Sequence, residues 1–180
     1  MHMIIVITKP EFFSGEAKRI SWLLTSGAAD VIHIRKPQAA QAEVERLIQS
    51  LPSELYDRLV LHDHHELAVK HHLHGVHLNS RCPEAPEGWS GAVSISCHSL
   101  SELAECRKQP YAYISLSPIF DSISKPGYHS AFTRQQIAEA SAQGLIDYRV
   151  MALGGVTFDK INDVLEMGFG GAMILGDAWK

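Results

Sequence analysis

Eight short apolar runs recur along the chain, at 3–8, 30–35, 58–62, 74–78, 92–96, 111–116, 149–153 and 171–175. Each is too short for a helix and rich in Val, Ile, Leu and Tyr, which predicts strands. Several are apolar without alternation, the pattern of parallel strands covered on both faces. Between them the spacing changes to a helical period. Ala17, Ile20, Leu23 and Leu24 share one face, with Ser14 as candidate N-cap and Gly27 as a stop. Val44, Leu47, Ile48 and Leu51 share another. Ser99 with Glu102 three residues on reads as a capping box. Two more helices are expected from Thr133 to Gly144 and from about Thr157 to Gly168, and shorter turns after the third and fourth strands.

Strict alternation of eight strands with helices, each unit crossing over right-handedly, predicts an α/β chain folded as a (β/α)8 TIM barrel. An open doubly wound sheet is the alternative, but no G-x-G-x-x-G follows the first strand, which runs into "TKPEFFSG". The expectation is a single domain over 1–180. Barrels of this type usually need ~250 residues. Here "GDAWK" follows the eighth strand and the last helix is missing, so either the chain stops short or a partner subunit covers the gap. A homo-oligomer fits the second case.

Composition narrows the function. The chain is 46% hydrophobic and 20% charged with a formal net charge of −4, so there is no basic footprint for nucleic acid. No apolar run reaches the ~20 residues of a membrane span. The N-terminus lacks the pattern of an export signal. Three cysteines, Cys82, Cys97 and Cys106, form no C-x-x-C pair, and their odd number suits reduced thiols in a cytoplasm.

Candidate chemistry follows from the barrel, whose active sites lie at the C-terminal ends of the strands. Gly154-Gly155 and Gly176 end the seventh and eighth strands, where bare backbone N–H groups can cradle a phosphate; a plain tight turn is the other reading. Arg35 and Lys36 end the second strand, placed either for a phosphate or diphosphate or for a surface ion pair with a helix carboxylate. Asp63 suits Mg2+, directly or through water, and equally the cap of a helix starting near His65. "HDHHELAVKHH" contains no H-E-x-x-H, which argues against a local metal cluster and for His71 and His72 in solvent at a helix end. His98 directly follows the fifth strand, placed as a proton shuttle or simply as the start of the helix capped by Ser99. Cys97 beside it points to the opposite face of the strand and forms no Cys–His pair with it. The loop "SLSPIFDSISKPGYHS", with hydroxyls on both sides of one lysine, has the length of a binding loop.

In order, "HIRKP", "LHDH", "GVHLNSRC", "SCHS", "SPIFDSISK" and "ALGGV" resemble the motifs of the thiamine phosphate synthase family and its sister branch, the TenI-like thiazole tautomerases. The resemblance implies an enzyme of thiamine biosynthesis whose partner is a small phosphorylated thiazole. It places Arg35, His33, His62 and Ser96 against substrate, and Ser122, Ser124 and Lys125 of the long loop near the thiazole phosphate. Gly155 and the Leu175-Gly176 turn take the place of the phosphate cradle, beside Gly154, and Asp63 that of a metal ligand. Synthases use Mg2+ to join hydroxymethylpyrimidine diphosphate to thiazole phosphate, whereas tautomerases move a proton and need no cofactor. The departures fall on the diphosphate side: Pro37 replaces a basic residue, and Cys82 stands where a second aspartate binds metal. His98 and Lys125, the catalytic candidates, are kept. The reading leans to a tautomerase, with the synthase and a non-catalytic phosphate-binding barrel as alternatives.

Overall fold

The computed structural model describes residues 2–121 and 129–180. Eight strands pair in chain order and close into a barrel: β1 (Met3–Ile7), β2 (Val31–Ile34), β3 (Leu59–Leu61), β4 (Gly75–Leu78), β5 (Ala92–Cys97), β6 (Tyr113–Leu116), β7 (Val150–Leu153) and β8 (Gly171–Ile174). The pairings β2 with β3, β3 with β4, β5 with β6, β6 with β7 and β7 with β8 are parallel. The predicted strands are met to within two residues at either end. Burial explains this. Every residue of β2, β3, β4, β6 and β8 is buried, so each strand is written as an unbroken apolar or small-polar run.

Contacts gather the chain into two compact units. In the unit Val6–Val93, α1 (Glu16–Thr25) and α2 (Gln41–Gln49) bury Ile20, Leu23 and Leu24, and Val44, Leu47 and Ile48. Each such side chain contributes ~1.5–3 kcal/mol of apolar burial. Helix α1 does not start on Ser14. Its N-cap is Gly15, in the left-handed region at φ 84°, with no side-chain cap, because the turn geometry needs a residue without Cβ. After β3 comes the short α3 (Glu66–Lys70), with His65 at its N-cap position; Asp63 is engaged elsewhere. Among the described residues no helix follows β4.

The other unit contains α4 (Leu100–Cys106), α5 (Arg134–Ala142) and α6 (Ile161–Glu166), with β6 to β8. Ser99 caps α4 as expected, accepting from the Glu102 N–H at 3.1 Å; the reciprocal Glu102 carboxylate reaches the His98 N–H rather than that of Ser99. Thr133 and Gln136 form a full capping box on α5. Strand β8 runs past Met3 so closely that a Cβ on Gly171 would meet the Met3 carbonyl oxygen, so only glycine allows this approach. A four-residue 3-10 turn, Gly176–Trp179, follows β8.

Candidate active site

In the unit Val6–Val93 the polar groups at the strand ends are largely engaged by one another. Lys36 is 1% exposed. Its ammonium donates to Glu16 Oε1 at 2.6 Å and to the carbonyls of Lys9 and Glu11 at 2.8 and 2.9 Å. Lys36 does pair with a helix carboxylate, but the pair is buried and not at the surface as the ion-pair reading expected, because β2 delivers the ammonium beneath the Lys9–Glu11 segment. Burial pushes the Glu16 carboxyl up and the Lys36 ammonium down, against the stabilising effect of their contact. Arg35, half-buried, differs. Its backbone pairs with Thr8, and among the described residues its guanidinium meets no carboxylate.

Asp63 accepts from Arg81 Nε at 2.6 Å through Oδ1. Its Oδ2 is buried with no hydrogen-bond partner among the described residues. Arg81 is held there from a loop braced by Asn79, whose Oδ1 accepts from the Arg81 N–H at 2.9 Å. The pairing raises the Arg81 pKa. Sequence spacing gave no sign of Arg81, because it meets Asp63 only through the turn after β4.

His33, His62 and His77 converge from β2, from the residue after β3, and from β4. His33 Nδ1 lies 2.8 Å from His62 Nε2, and the rings of His62 and His77 stack with centroids 4.2 Å apart. Burial, followed by repulsion among these rings, holds His33 and His62 well below the ordinary imidazole range. Burial likewise lowers His77 to about 3, with His65 and Arg35 adding to it. All three are therefore neutral at pH 7. The resemblance put His33 and His62 against substrate. The structure gives His33 no exposed surface and leaves His62 6% exposed, so both rings face other rings. His71 is not free in solvent: its Nε2 lies 2.6 Å from Glu45 Oε1, whereas His72 is exposed.

In the second unit the strand ends are more open. His98 is exposed at the end of β5, with Nδ1 3.1 Å from the hydroxyl of Ser117, which follows β6. Ser117 is the partner that sequence reading missed, lying one residue past a strand and 19 positions from His98. Ser96 Oγ accepts from Ser115 Oγ at 2.8 Å, across the β5–β6 pair. Gly155 has φ 62°, and a Cβ there would strike the Asp121 carbonyl oxygen and Phe120. Gly154, at φ 93°, also packs closely, on Pro118. A Cβ on Gly176 would meet nothing within 4 Å. Among the described residues the N–H groups of Gly155 and Gly176 meet no acceptor. Lys160, not anticipated from sequence, donates to the Gly155 carbonyl at 3.1 Å and lies over the Phe120 ring. Leu175 precedes the 3-10 turn that Gly176 begins. Ser122, Ser124 and Lys125 lie outside the described residues.

Three comparisons bear on this arrangement. A crystal structure of thiamine phosphate pyrophosphorylase from Bacteroides thetaiotaomicron is 40% identical with a TM-score of 0.87, covering 98% of this chain and 84% of that one. A thiamine-phosphate synthase of Yersinia pestis (strain Pestoides F) is 31% identical over 166 residues, 87% of this chain and 75% of that protein. One from Proteus mirabilis (strain HI4320) is 31% identical over 128 residues, of which this chain spans 57% of the relative's length. The family profile described as thiamine monophosphate synthase matches residues 4–176, and the chain belongs to that family.

Proposed function

We propose that this enzyme acts on a thiazole phosphate in thiamine biosynthesis as a tautomerase, moving a proton between a ring carbon and the exocyclic carbon to complete the aromatic thiazole. The observation that carries this reading is His98, exposed at a strand end with its inner ring nitrogen against Ser117. With Nδ1–H donating to Ser117 Oγ, Nε2 holds the lone pair and takes the proton. The resulting imidazolium returns it to the second carbon, so no proton is gained or lost. The N–H groups of Gly155 and Gly176 suit the phosphate oxygens, and the open space at Gly176 leaves room for them. Every residue in this account belongs to one unit of the chain.

The diphosphate chemistry of a synthase finds less support. Mg2+ takes six oxygen ligands. Asp63 offers one orphaned oxygen, but an arginine occupies the other and residue 82 is a thiol. This donor set does not fit a resident Mg2+, and Lys36 is closed to a diphosphate. A second reading, the synthase, rests on the names of the relatives and on Arg35, whose guanidinium has no carboxylate partner among the described residues.

Solvent deuterium incorporation into the thiazole carboxylate phosphate, followed by NMR, tests the first reading. His98→Asn should slow it by ~10²–10⁴-fold. Equal rates in wild type and variant would remove it. Thiamine phosphate formed at an enzymatic rate from both synthase substrates and Mg2+ would establish the second reading instead.

A further inference from the structure

We propose that His33, His62 and His77 form a site for one divalent transition-metal ion of the Zn2+ class. Among the described residues they are the one group of three or more potential ligands that converges, with ligand atoms all within 4.8 Å of one another. The convergence is set by the strands. His33 pairs with Val60 and Val60 with Gly75, so His62 and His77 each stand two positions further along adjacent strands. Side chains two positions apart point the same way, and all three rings therefore meet on one face.

The chemistry selects the metal. Imidazole nitrogen suits Zn2+, Co2+, Ni2+ and Cu2+, and the absence of any carboxylate from the group disfavours Mg2+ and Ca2+. Tetrahedral Zn2+ with Zn–N near 2.0–2.1 Å sets its nitrogens ~3.3 Å apart. The His33–His62 pair, at 2.8 Å, has to open by ~0.5 Å, and no other pair has to close by more than ~1.5 Å. Ring rotation supplies both changes. Ligation must also splay the stacked His62 and His77 rings, because two parallel rings direct their lone pairs along parallel lines. Three imidazoles leave the fourth position to water or an anion. This site owes nothing to the proton-transfer reading of His98.

The experiment uses the whole chain, freed of metal with a chelator and titrated with Co2+ while its visible ligand-field bands are recorded, then with Zn2+. The expected result is saturation at one equivalent, the band intensity of a four-coordinate ion, and displacement by Zn2+. His62→Asn and His77→Gln should each weaken Co2+ binding by more than the ~10–100-fold seen on losing an outer-shell partner. The exposed His72→Ala should leave it unchanged. X-ray absorption of the Zn2+-loaded wild type gives a reading that needs no variant to fold, with three imidazoles expected in the first shell. No saturable one-equivalent binding, binding unchanged in folded His62 and His77 variants, or a first shell with fewer than three imidazoles would overturn the proposal.

Discussion

The strand ends of the two units treat their polar groups in opposite ways. From β2 to β4, Lys36 is closed by Glu16, Asp63 by Arg81, and three histidines by one another. From β5 to β8, His98 is exposed, and the N–H groups of Gly155 and Gly176 await acceptors among the described residues. The same strand-end position thus yields internal structure in one unit and available chemistry in the other. What separates them is the partner each residue meets, and that partner is generally distant in sequence. Arg35 is the exception in the first unit and marks where the contrast is weakest.

The largest effect that would sharpen this contrast is acid sensitivity. His33, His62 and His77 stay neutral when folded and become protonated when unfolded as pH falls below about 6.5. The unfolded state then binds more protons, so stability is full above pH 6.5 and declines below it. For His77 the decline runs down to about pH 3. About a unit below 6.5, each group approaches a loss of ~1.4 kcal/mol per pH unit. Urea unfolding from pH 7 to pH 5 should show this slope, and His77→Gln should make it shallower. A flat profile would mean that the rings are charged in the folded protein.

Next in size is Lys36→Met. Removing one partner of a buried pair costs ~3–5 kcal/mol, and the lower end is expected because the remaining Glu16 carboxyl, already raised, can take a proton. Denaturant midpoints would measure it. Stability left intact would show that Lys36 is not engaged structurally, and the contrast between the units would fail.

The second unit is tested by smaller effects. Gly176→Val has room for its side chain but should crowd an incoming anion, lowering thiazole phosphate affinity about tenfold, or ~1.4 kcal/mol, with little change in Tm. Calorimetry would report it. Gly155→Val cannot make the same point, because the backbone there already excludes a Cβ. Ser117→Ala should remove one hydrogen bond to His98, worth ~0.5–1.5 kcal/mol, and slow deuterium exchange by a few-fold to about tenfold. Its pH–rate profile should shift, which a purely structural role would not cause.

The strands were legible because burial on both sides writes each as an apolar run, and His98 was legible because it follows one of them directly. Ser99 and Glu102 were legible because a cap is local. Lys36 was not: its partner Glu16 lies 20 residues earlier, and a lysine at a strand end looks the same whether open or closed. The histidine triad was missed because spacing within 62–77 was the wrong search. Two of its members lie there, but the third comes from β2, and the sheet register brings them together. The Ser14 cap failed because a left-handed turn took precedence over a side-chain acceptor.

The grip of Lys36 on the Lys9 and Glu11 carbonyls also bears on the order in which the molecule assembles. The segment from Lys9 to Gly15 has no strand or helix of its own, and two of its carbonyls, those of Lys9 and Glu11, are met by a side chain more than 20 residues later. Those two carbonyls gain their partner only when β2 has docked beside β1. During refolding the Glu11–Phe12 bond should therefore acquire protection from a Glu-specific protease after the first two strands have paired, and cleavage after Glu11 would time that docking event.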